Sequence, residues 1–179
     1  MRKFLQGLPS SLVPRHSAIA VAVVLAITTL LSACGFQLRG QAIIPFQTVR
    51  VATPGFSAFA HDHENAIRSG SKARIVDTRE QAEAVIQIIG ESEEKHILSL
   101  SIGGRVREFE LRYRVAYRLT DRAGVDLASP GEINLRRDMT YDDTLLLAKE
   151  SEELLLFRDM RTDAVQQMLR RLSVAKPAT

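Results

Sequence analysis

Apolar and charged residues alternate along residues 105–120, in the centre of the chain. Successive side chains of a β-strand point to opposite faces, so this alternation predicts a strand with one buried and one solvated face. The predicted buried face carries Phe109, Leu111, Tyr113, Val115, Tyr117 and Leu119, and the predicted polar face carries Glu108, Glu110, Arg112, Arg114 and Arg118.

A second strand is predicted just before it, because residues 84–102 are rich in Ile, Leu and Val. Gly103 and Gly104 separate the two strands, and a two-residue glycine loop is typical of a tight hairpin turn. That loop predicts a register with Leu98 opposite Phe109, His96 opposite Leu111 and Glu93 opposite Arg114. Arms of about fifteen residues at roughly 3.3 Å each would reach about 50 Å, so part of the hairpin should project past the domain.

The segment before the hairpin has the pattern strand, helix, strand. Residues 48–53 and 73–76 predict short strands, and Ser57 is placed to cap a helix that Gly70 would end. The apolar positions of that helix recur at helical spacing, at Phe59, Ala60, His63, Ala66 and Ile67. If both strands share a sheet, they should be parallel.

After the hairpin, Pro130 and Gly131 predict a turn that leads into a strand with Ile133, Leu135 and Met139. A long helix should then close the domain, with Asp142 or Asp143 as its N-cap. Its apolar side is predicted to carry Leu154, Phe157, Arg161, Ala164, Met168 and Leu172. The body of the protein is therefore predicted at 45–174, and residues 175–179 as a disordered tail.

The start of the chain has the parts of an export signal. Basic Arg2, Lys3 and Arg15 precede an apolar run at residues 18–31, and Leu31-Ser32-Ala33-Cys34 resembles a bacterial lipobox. A 14-residue helix rises roughly 21 Å, less than the roughly 30 Å hydrocarbon core, so we expect a cleaved signal peptide at 1–33 rather than a membrane span. Acylation of Cys34 would then supply the anchor, with 34–44 as a tether. The alternative is an ordinary secreted protein in which this Cys occurs by chance.

Cleavage changes the charge of the protein. The full chain has 24 Lys and Arg against 21 Asp and Glu. Three basic residues and no acidic residue leave with the signal, so the mature chain is close to neutral. This balance gives no support to a nucleic-acid partner, which needs a concentrated positive surface. Cys34 is the chain's one cysteine, so an internal disulfide is excluded.

The predicted hairpin tip combines apolar and cationic side chains. Leu100, Ile102 and Val106 are apolar, whereas Arg105 and Arg107 are positively charged. This combination suits an anionic lipid. The alternative is a solvated strand end with snorkelling arginines.

The chain offers little to support an enzyme. It has no nucleophile-elbow, phosphate-loop or dinucleotide-binding motif, which argues against catalysis and against those cofactors. His61, Asp62, His63 and Glu64 are the one cluster that could ligate a metal. Alternate helix residues point about 200° apart, so a solvated helix start is the favoured interpretation, and we expect no metal site.

Three segments resemble one known family. The heptapeptide Cys-Gly-Phe-Gln-Leu-Arg-Gly at residues 34–40 is similar to the mature start of the LptE family, the lipopolysaccharide-assembly lipoproteins of Gram-negative outer membranes. The Arg-Glu-Phe sequence at residues 107–109 and the Leu-Ala-Lys-Glu sequence at residues 147–150 also resemble that family. The likeness extends over nearly all of residues 34–172.

The resemblance implies an α+β fold, with two helices packed on one mixed sheet that has a long central hairpin. It implies a non-catalytic subunit that plugs the lumen of the barrel protein LptD, helps the barrel to assemble, and binds lipopolysaccharide for insertion into the outer leaflet. Lys149 matches a family lysine implicated in lipopolysaccharide contact. The family's basic tip residue has no direct match, so Arg105 or Arg107 would supply that charge.

The resemblance also implies a location in the outer membrane, anchored through acylated Cys34 on the periplasmic side within a barrel lumen. Two other functions stay open at this point. One is a structural or scaffold lipoprotein that takes no part in lipid transport, and the other is a small periplasmic hydrolase.

Overall fold

The structure is a computed structural model that describes residues 43–177. The predicted signal peptide at 1–33, Cys34 and nearly all of the tether lie outside the described residues, so these remain predictions. Residues 178–179 of the predicted tail also lie outside them.

Within residues 43–177, two helices accompany one five-stranded sheet. The elements are β1 (Thr48–Ala52), α1 (Ala58–Gly70), β2 (Arg74–Ile75), β3 (Ala84–Leu100), β4 (Val106–Thr120), β5 (Asp126–Thr140), a 3₁₀ turn (Asp143–Leu145) and α2 (Leu146–Val174). The strand order is β2-β1-β3-β4-β5, with β1 parallel to both β2 and β3 and the other pairs antiparallel. The predicted α+β fold with a mixed sheet is confirmed.

The β1-α1-β2 unit follows the predicted pattern, with parallel strands and Ser57 as the N-cap of α1. The Ser57 hydroxyl oxygen accepts a hydrogen bond from the Ala60 backbone N–H at 3.0 Å. Glu91 of β3 completes the cap, because its carboxylate accepts from the Ser57 hydroxyl at 2.6 Å and from the Phe59 N–H at 3.3 Å. The Tyr113 hydroxyl donates to the same carboxylate at 2.5 Å, so one side chain joins α1 to the centre of the sheet.

The long hairpin is present, with arms of 17 and 15 residues. The predicted register is wrong by one residue. The observed pairs are Ile97 with Phe109, His96 with Glu110, Lys95 with Leu111, Glu93 with Tyr113 and Ser92 with Arg114.

The cause of the shift is the turn itself. The Ser101 N–H donates to the Arg105 carbonyl at 2.7 Å, and the Gly104 N–H donates to the Ser101 carbonyl at 2.9 Å. The loop therefore contains three residues, Ile102, Gly103 and Gly104, and Gly104 takes the left-handed conformation at φ 76°. This is the type I turn with a glycine bulge that three-residue hairpin loops commonly use.

The predicted turn at Pro130 and Gly131 is also wrong, because both residues lie inside β5. The chain reverses earlier, at residues 121–125, through a second three-residue loop with Gly124 at φ 89°. Gly131 pairs with Tyr117 of β4, next to a shift in register between the two strands. Glycine occupies this position because a Cβ atom would collide with the Tyr117 side chain, and not because the chain turns.

One face of the sheet packs against both helices, as the alternation in β4 predicts. Leu111, Tyr113, Val115, Tyr117 and Leu119 are buried, and Phe109 is partly buried at the edge of the core. The apolar side of α2 is confirmed at Phe157, Ala164, Met168 and Leu172, whereas Leu154 is 72% exposed and the prediction there is wrong. The helix reaches the core only from about Phe157 onward, and its first turns lie near the hairpin tip.

The opposite face of the sheet has a layer of charged side chains. Cross-strand ion pairs join Arg114 to Glu132 and Arg118 to Asp126, and Glu110 lies near both Arg112 and Arg136. Opposite charges on neighbouring strands stabilise the pairing while keeping this face hydrophilic. Within residues 43–177, no helix is both long and apolar enough to cross a membrane.

Candidate functional site

An open groove lies at the end of the sheet where the hairpin tip, the end of β5 and the start of α2 come together. Its volume is about 820 Å³. Its lining is Ser99, Ser101, Arg105, Val106, Arg107, Glu108, Thr140, Tyr141, Asp142, Asp143, Leu145 and Lys149. The three residues that the sequence and the family resemblance singled out, Arg105, Arg107 and Lys149, all line it, although more than forty positions separate Lys149 from the other two.

Arg105 is held by the turn. Its backbone N–H donates to the Ser101 hydroxyl at 3.1 Å, and its carbonyl accepts from the Ser101 N–H. The guanidinium lies 3.5 Å from the Asp143 carboxylate, and both side chains are exposed, at 80% and 59%. Water screens such a pair strongly, so Arg105 is free to exchange Asp143 for another anion.

Arg107 is the second residue of β4, and it lines the groove. Its carbonyl accepts a hydrogen bond from the Tyr141 N–H at 2.7 Å, which fixes the end of β5 against the hairpin. Within the described part of the chain, no carboxylate lies within ion-pairing distance of the Arg107 guanidinium. Arg107 therefore presents an exposed positive charge without an ion-pair partner among residues 43–177.

Lys149 lies deeper, with only 15% of its side chain exposed. The ammonium group donates to the Thr140 hydroxyl at 3.2 Å and to the Glu152 carboxylate at 2.8 Å. An ammonium group has three donors, so one stays available toward the groove.

The rest of the groove is partly acidic. The Ser99 hydroxyl donates to the Glu108 carboxylate at 2.7 Å, and Asp142 accepts from the Thr144 N–H and hydroxyl at 2.9 and 2.7 Å. These hydrogen bonds from Thr144 lower the pKa of Asp142, which caps the 3₁₀ turn. The long helix α2 begins at Leu146 without a side-chain cap, so the prediction that Asp142 or Asp143 caps it is wrong. Glu108 and Asp142 are hydrogen-bonded to neutral groups and keep their negative charge, so with Asp143 they balance the three positive charges of the lining.

Exposed apolar side chains, here called the rim, lie on the two elements that form the groove, and one of them, Leu145, is part of its lining. Leu98, Leu100 and Ile102 extend from the hairpin, and Leu145, Leu146 and Leu147 from the start of α2. Single exposed apolar residues are common, but six on the hairpin tip and the start of α2 are more than a surface usually exposes by chance, which favours an interaction site beside the groove. The arrangement suits a ligand with both anionic groups and apolar chains.

An aromatic cluster supports the groove from the helix side. Phe109 and Tyr141 meet edge to face with ring centroids 5.1 Å apart. The Lys95 ammonium lies 4.2 Å from the Phe109 centroid and 2.5 Å from the Glu153 carboxylate of α2. Through Lys95, this cluster connects the hairpin and the end of β5 to α2.

The cluster at residues 61–64 is not gathered into one site. Asp62 pairs with Arg161 at 2.8 Å, Glu64 pairs with Arg68 at 3.2 Å, and His61 contacts Asn65 at 3.0 Å. His63 is fully buried, so the expectation of a solvated helix start is wrong for that residue. Among residues 43–177, no group of three or more His, Cys, Asp or Glu side chains is placed to hold a metal ion.

Reasoning from the sequence missed Asp143 and Glu152 as partners of the groove cations. The i, i+3 spacing of Lys149 and Glu152 on a predicted helix was a usable signal. The approach of Asp143 to Arg105 had no such signal, because it depends on how the hairpin tip and the 3₁₀ turn are placed in three dimensions.

Comparisons with known proteins give one consistent result. Residues 46–172 match the model of a family described as LptE, lipopolysaccharide-assembly. The chain is 26% identical over 161 residues to the LPS-assembly lipoprotein LptE of Yersinia pestis (strain Pestoides F). The matched region covers 88% of this chain and 76% of that protein. The same protein of Yersinia pseudotuberculosis (strain YPIII) is 26% identical over the same length and the same coverage.

Solved structures agree with this. The solution structure of an uncharacterized lipoprotein B from Nitrosomonas europaea matches with a TM-score of 0.70 and 48% identity, over 78% of this chain and 90% of that one. The crystal structure of the rare lipoprotein B from Shewanella oneidensis matches with a TM-score of 0.62 and 28% identity, over 70% of this chain and 93% of that one.

Proposed function

Since this chain belongs to the LptE family of lipopolysaccharide-assembly proteins, we propose that it binds lipopolysaccharide in the groove at the hairpin tip. We further propose that it does so as a lipid-anchored subunit within the lumen of an LptD-like outer-membrane barrel, whose assembly it assists. On this account it orients and hands over its ligand without making or breaking a bond.

The observation that carries the proposal is the convergence of Arg105, Arg107 and Lys149 on one groove with an apolar rim. Lipid A, the membrane end of lipopolysaccharide, carries phosphate groups next to acyl chains. Guanidinium groups suit phosphate oxygens because they donate two parallel hydrogen bonds, and an ammonium group acts as a compact positive charge. The leucines at the rim would shield part of the acyl surface from water.

The charged face of the sheet supports the proposed partner. Barrel lumens in outer-membrane proteins are polar, so a domain placed inside one needs a hydrophilic surface rather than an apolar one. The cross-strand ion pairs on the helix-free side of β3, β4 and β5 provide such a surface.

Acylation of Cys34 would hold the domain at the membrane. A single acyl chain binds a bilayer only marginally, and each further buried methylene adds about 0.8 kcal/mol, so several chains make the attachment effectively permanent. The intact mass of the mature protein isolated from membranes tests this step. Acyl groups on a chain that begins at Cys34 would support it, and an unmodified thiol would contradict it.

Alanine variants of the three cations test the groove. We expect Lys149→Ala to weaken lipopolysaccharide binding by about ten-fold or more, because a hydrogen bond to a charged group contributes about 1.5–3 kcal/mol. Arg107→Ala should weaken it by a smaller factor, and exposed Arg105 should matter least. Titration of the purified full-length protein in detergent with lipopolysaccharide measures these affinities.

The matched control is Arg170→Ala, which removes an exposed arginine near the far end of α2 and outside the groove. Its affinity should equal that of the wild-type protein. Unchanged affinity in all three groove variants would show that lipopolysaccharide does not bind there, and would favour a purely structural lipoprotein.

A further inference from the structure

Two of the three groove cations already have a carboxylate partner in the protein. The Lys149 ammonium lies 2.8 Å from a Glu152 carboxylate oxygen, and the Arg105 guanidinium lies 3.5 Å from Asp143. Within residues 43–177 Arg107 has no ion pair, whereas an anion that approaches Lys149 or Arg105 competes with a carboxylate of the protein.

The two internal carboxylates differ in strength as competitors. The Arg105–Asp143 pair is largely in water, whereas the Lys149 side chain is only 15% exposed and that of Glu152 43%. Screening weakens exposed pairs far more than partly buried ones. Glu152 therefore competes with an incoming anion for Lys149 more strongly than Asp143 competes for Arg105.

The helix keeps Glu152 beside Lys149. Glu152 is three residues after Lys149 on α2, so the intact helix holds both side chains on one face. Lys149 also donates to the Thr140 hydroxyl on β5, so its ammonium lies between α2 and the end of β5. An anion that takes the remaining donor of Lys149 therefore binds close to a negative charge.

We propose that Glu152 is a built-in competitor that limits the affinity of Lys149 for lipid phosphate, so that the bound lipid can leave the groove. This inference depends on the proposed function, because it assigns a role in release to the same site. A subunit that hands its ligand onward needs a finite residence time, and a fixed carboxylate next to the anchoring cation shortens that time without any conformational change.

The test is a substitution that removes the negative charge of Glu152. Glu152→Gln keeps the size of the side chain, and it should raise the affinity of the full-length protein for purified lipopolysaccharide by about five-fold, mainly through slower dissociation. Asp143→Asn should change the affinity by less than about two-fold, because its pair with Arg105 is exposed. The control is Glu150→Gln, an equal charge change at an exposed residue of the same helix outside the groove.

A double-mutant cycle separates this inference from the proposed function. In the Lys149→Ala background, Glu152→Gln should no longer raise affinity beyond the effect of Glu150→Gln. If Lys149→Ala weakens binding while Glu152→Gln behaves like Glu150→Gln, the competitor role is wrong and the groove remains the binding site. If Lys149→Ala leaves binding unchanged, both the site and the inference are overturned.

Discussion

His63 is buried in α1, where its ring stacks on Phe59 with centroids 5.6 Å apart. Neither ring nitrogen has a hydrogen-bond partner among residues 43–177. Burial lowers the pKa of His63 from 6.5 to about 4, because the charged imidazolium would lose its hydration without gaining a partner. The residue therefore acts as a neutral core side chain at neutral pH.

This predicts a pH-dependent stability. In the unfolded chain His63 becomes protonated near pH 6.5, whereas in the folded chain it becomes protonated only near pH 4. The stabilising contribution of neutral His63 is thus fully present above about pH 6.5 and is lost as the pH falls toward 4. A shift of this size corresponds to about 3 kcal/mol of unfolding free energy. Denaturant unfolding of the wild-type protein and of His63→Leu over this pH range measures it.

Carboxylates titrate in the same range, so the informative quantity is the difference between the two proteins. His63→Leu should be about as stable as the wild-type protein at pH 7 and should become the more stable protein as the pH falls. If the unfolding free energies of the two proteins changed with pH in parallel, His63 would not be a buried, unpaired imidazole.

At the residue scale, sequence patterns predicted which side chains lie in the core or line the groove better than they predicted which partners those side chains contact. The helical spacing put His63 on the buried face of α1, and the mixed charge and apolarity of the hairpin tip indicated Arg105 and Arg107. The partners Glu152, Asp143 and Thr140 belong to other turns or other elements. The i, i+3 spacing could have indicated Glu152, whereas the positions of Asp143 and Thr140 depend on how separate elements pack together.

At the scale of the elements, the alternation of apolar and polar residues predicted the buried face of a strand reliably. The positions of glycine and proline predicted the turns less well. The buried face of β4 is as predicted, because a strand must place its apolar residues on one side to bury them. The hairpin register failed by one residue because Gly103 and Gly104 fit a two-residue loop as well as the last two positions of a three-residue loop. Pro130 and Gly131 resemble a turn, yet Pro is tolerated in an edge strand and Gly131 makes room for a ring.

Gly131 provides a test of this packing. A Cβ atom at this position would lie 2.6 Å from the Tyr117 hydroxyl oxygen and 2.9 Å from its ring carbon Cζ. Tyr117 cannot move freely, because its hydroxyl accepts a hydrogen bond from Arg171 of α2 at 2.5 Å. We expect Gly131→Ala to lower the free energy of unfolding by about 1–3 kcal/mol, as overpacking commonly does. Equilibrium denaturation in urea measures the change.

Gly90→Ala is the matched control in β3. A Cβ atom there meets no atom within 4 Å, so the variant should be neutral or slightly more stable through a stiffer unfolded chain. Equal losses in both variants would mean that backbone flexibility, and not the Tyr117 ring, explains why glycine occupies position 131.

At the scale of the whole molecule, the fold places three surfaces on different sides of one small sheet. The helices cover one face, the charged pairs cover the other, and the groove occupies the end where the hairpin tip meets the start of α2. The groove could not be assembled from the sequence, because it depends on α2 beginning beside the end of β5, far along the chain from the hairpin tip. The family resemblance implied that Lys149 and the hairpin tip contact the same ligand, and the structure places both in the lining of one groove.

The central claim is that this lipoprotein works inside a barrel partner, and one measurement tests it most directly. The tagged full-length protein is purified from detergent-solubilised outer membranes, and the proteins recovered with it are identified and quantified by mass spectrometry. The account predicts one large outer-membrane barrel protein at a one-to-one ratio. Recovery of the lipoprotein alone would contradict the account and would favour a scaffold role outside lipid transport.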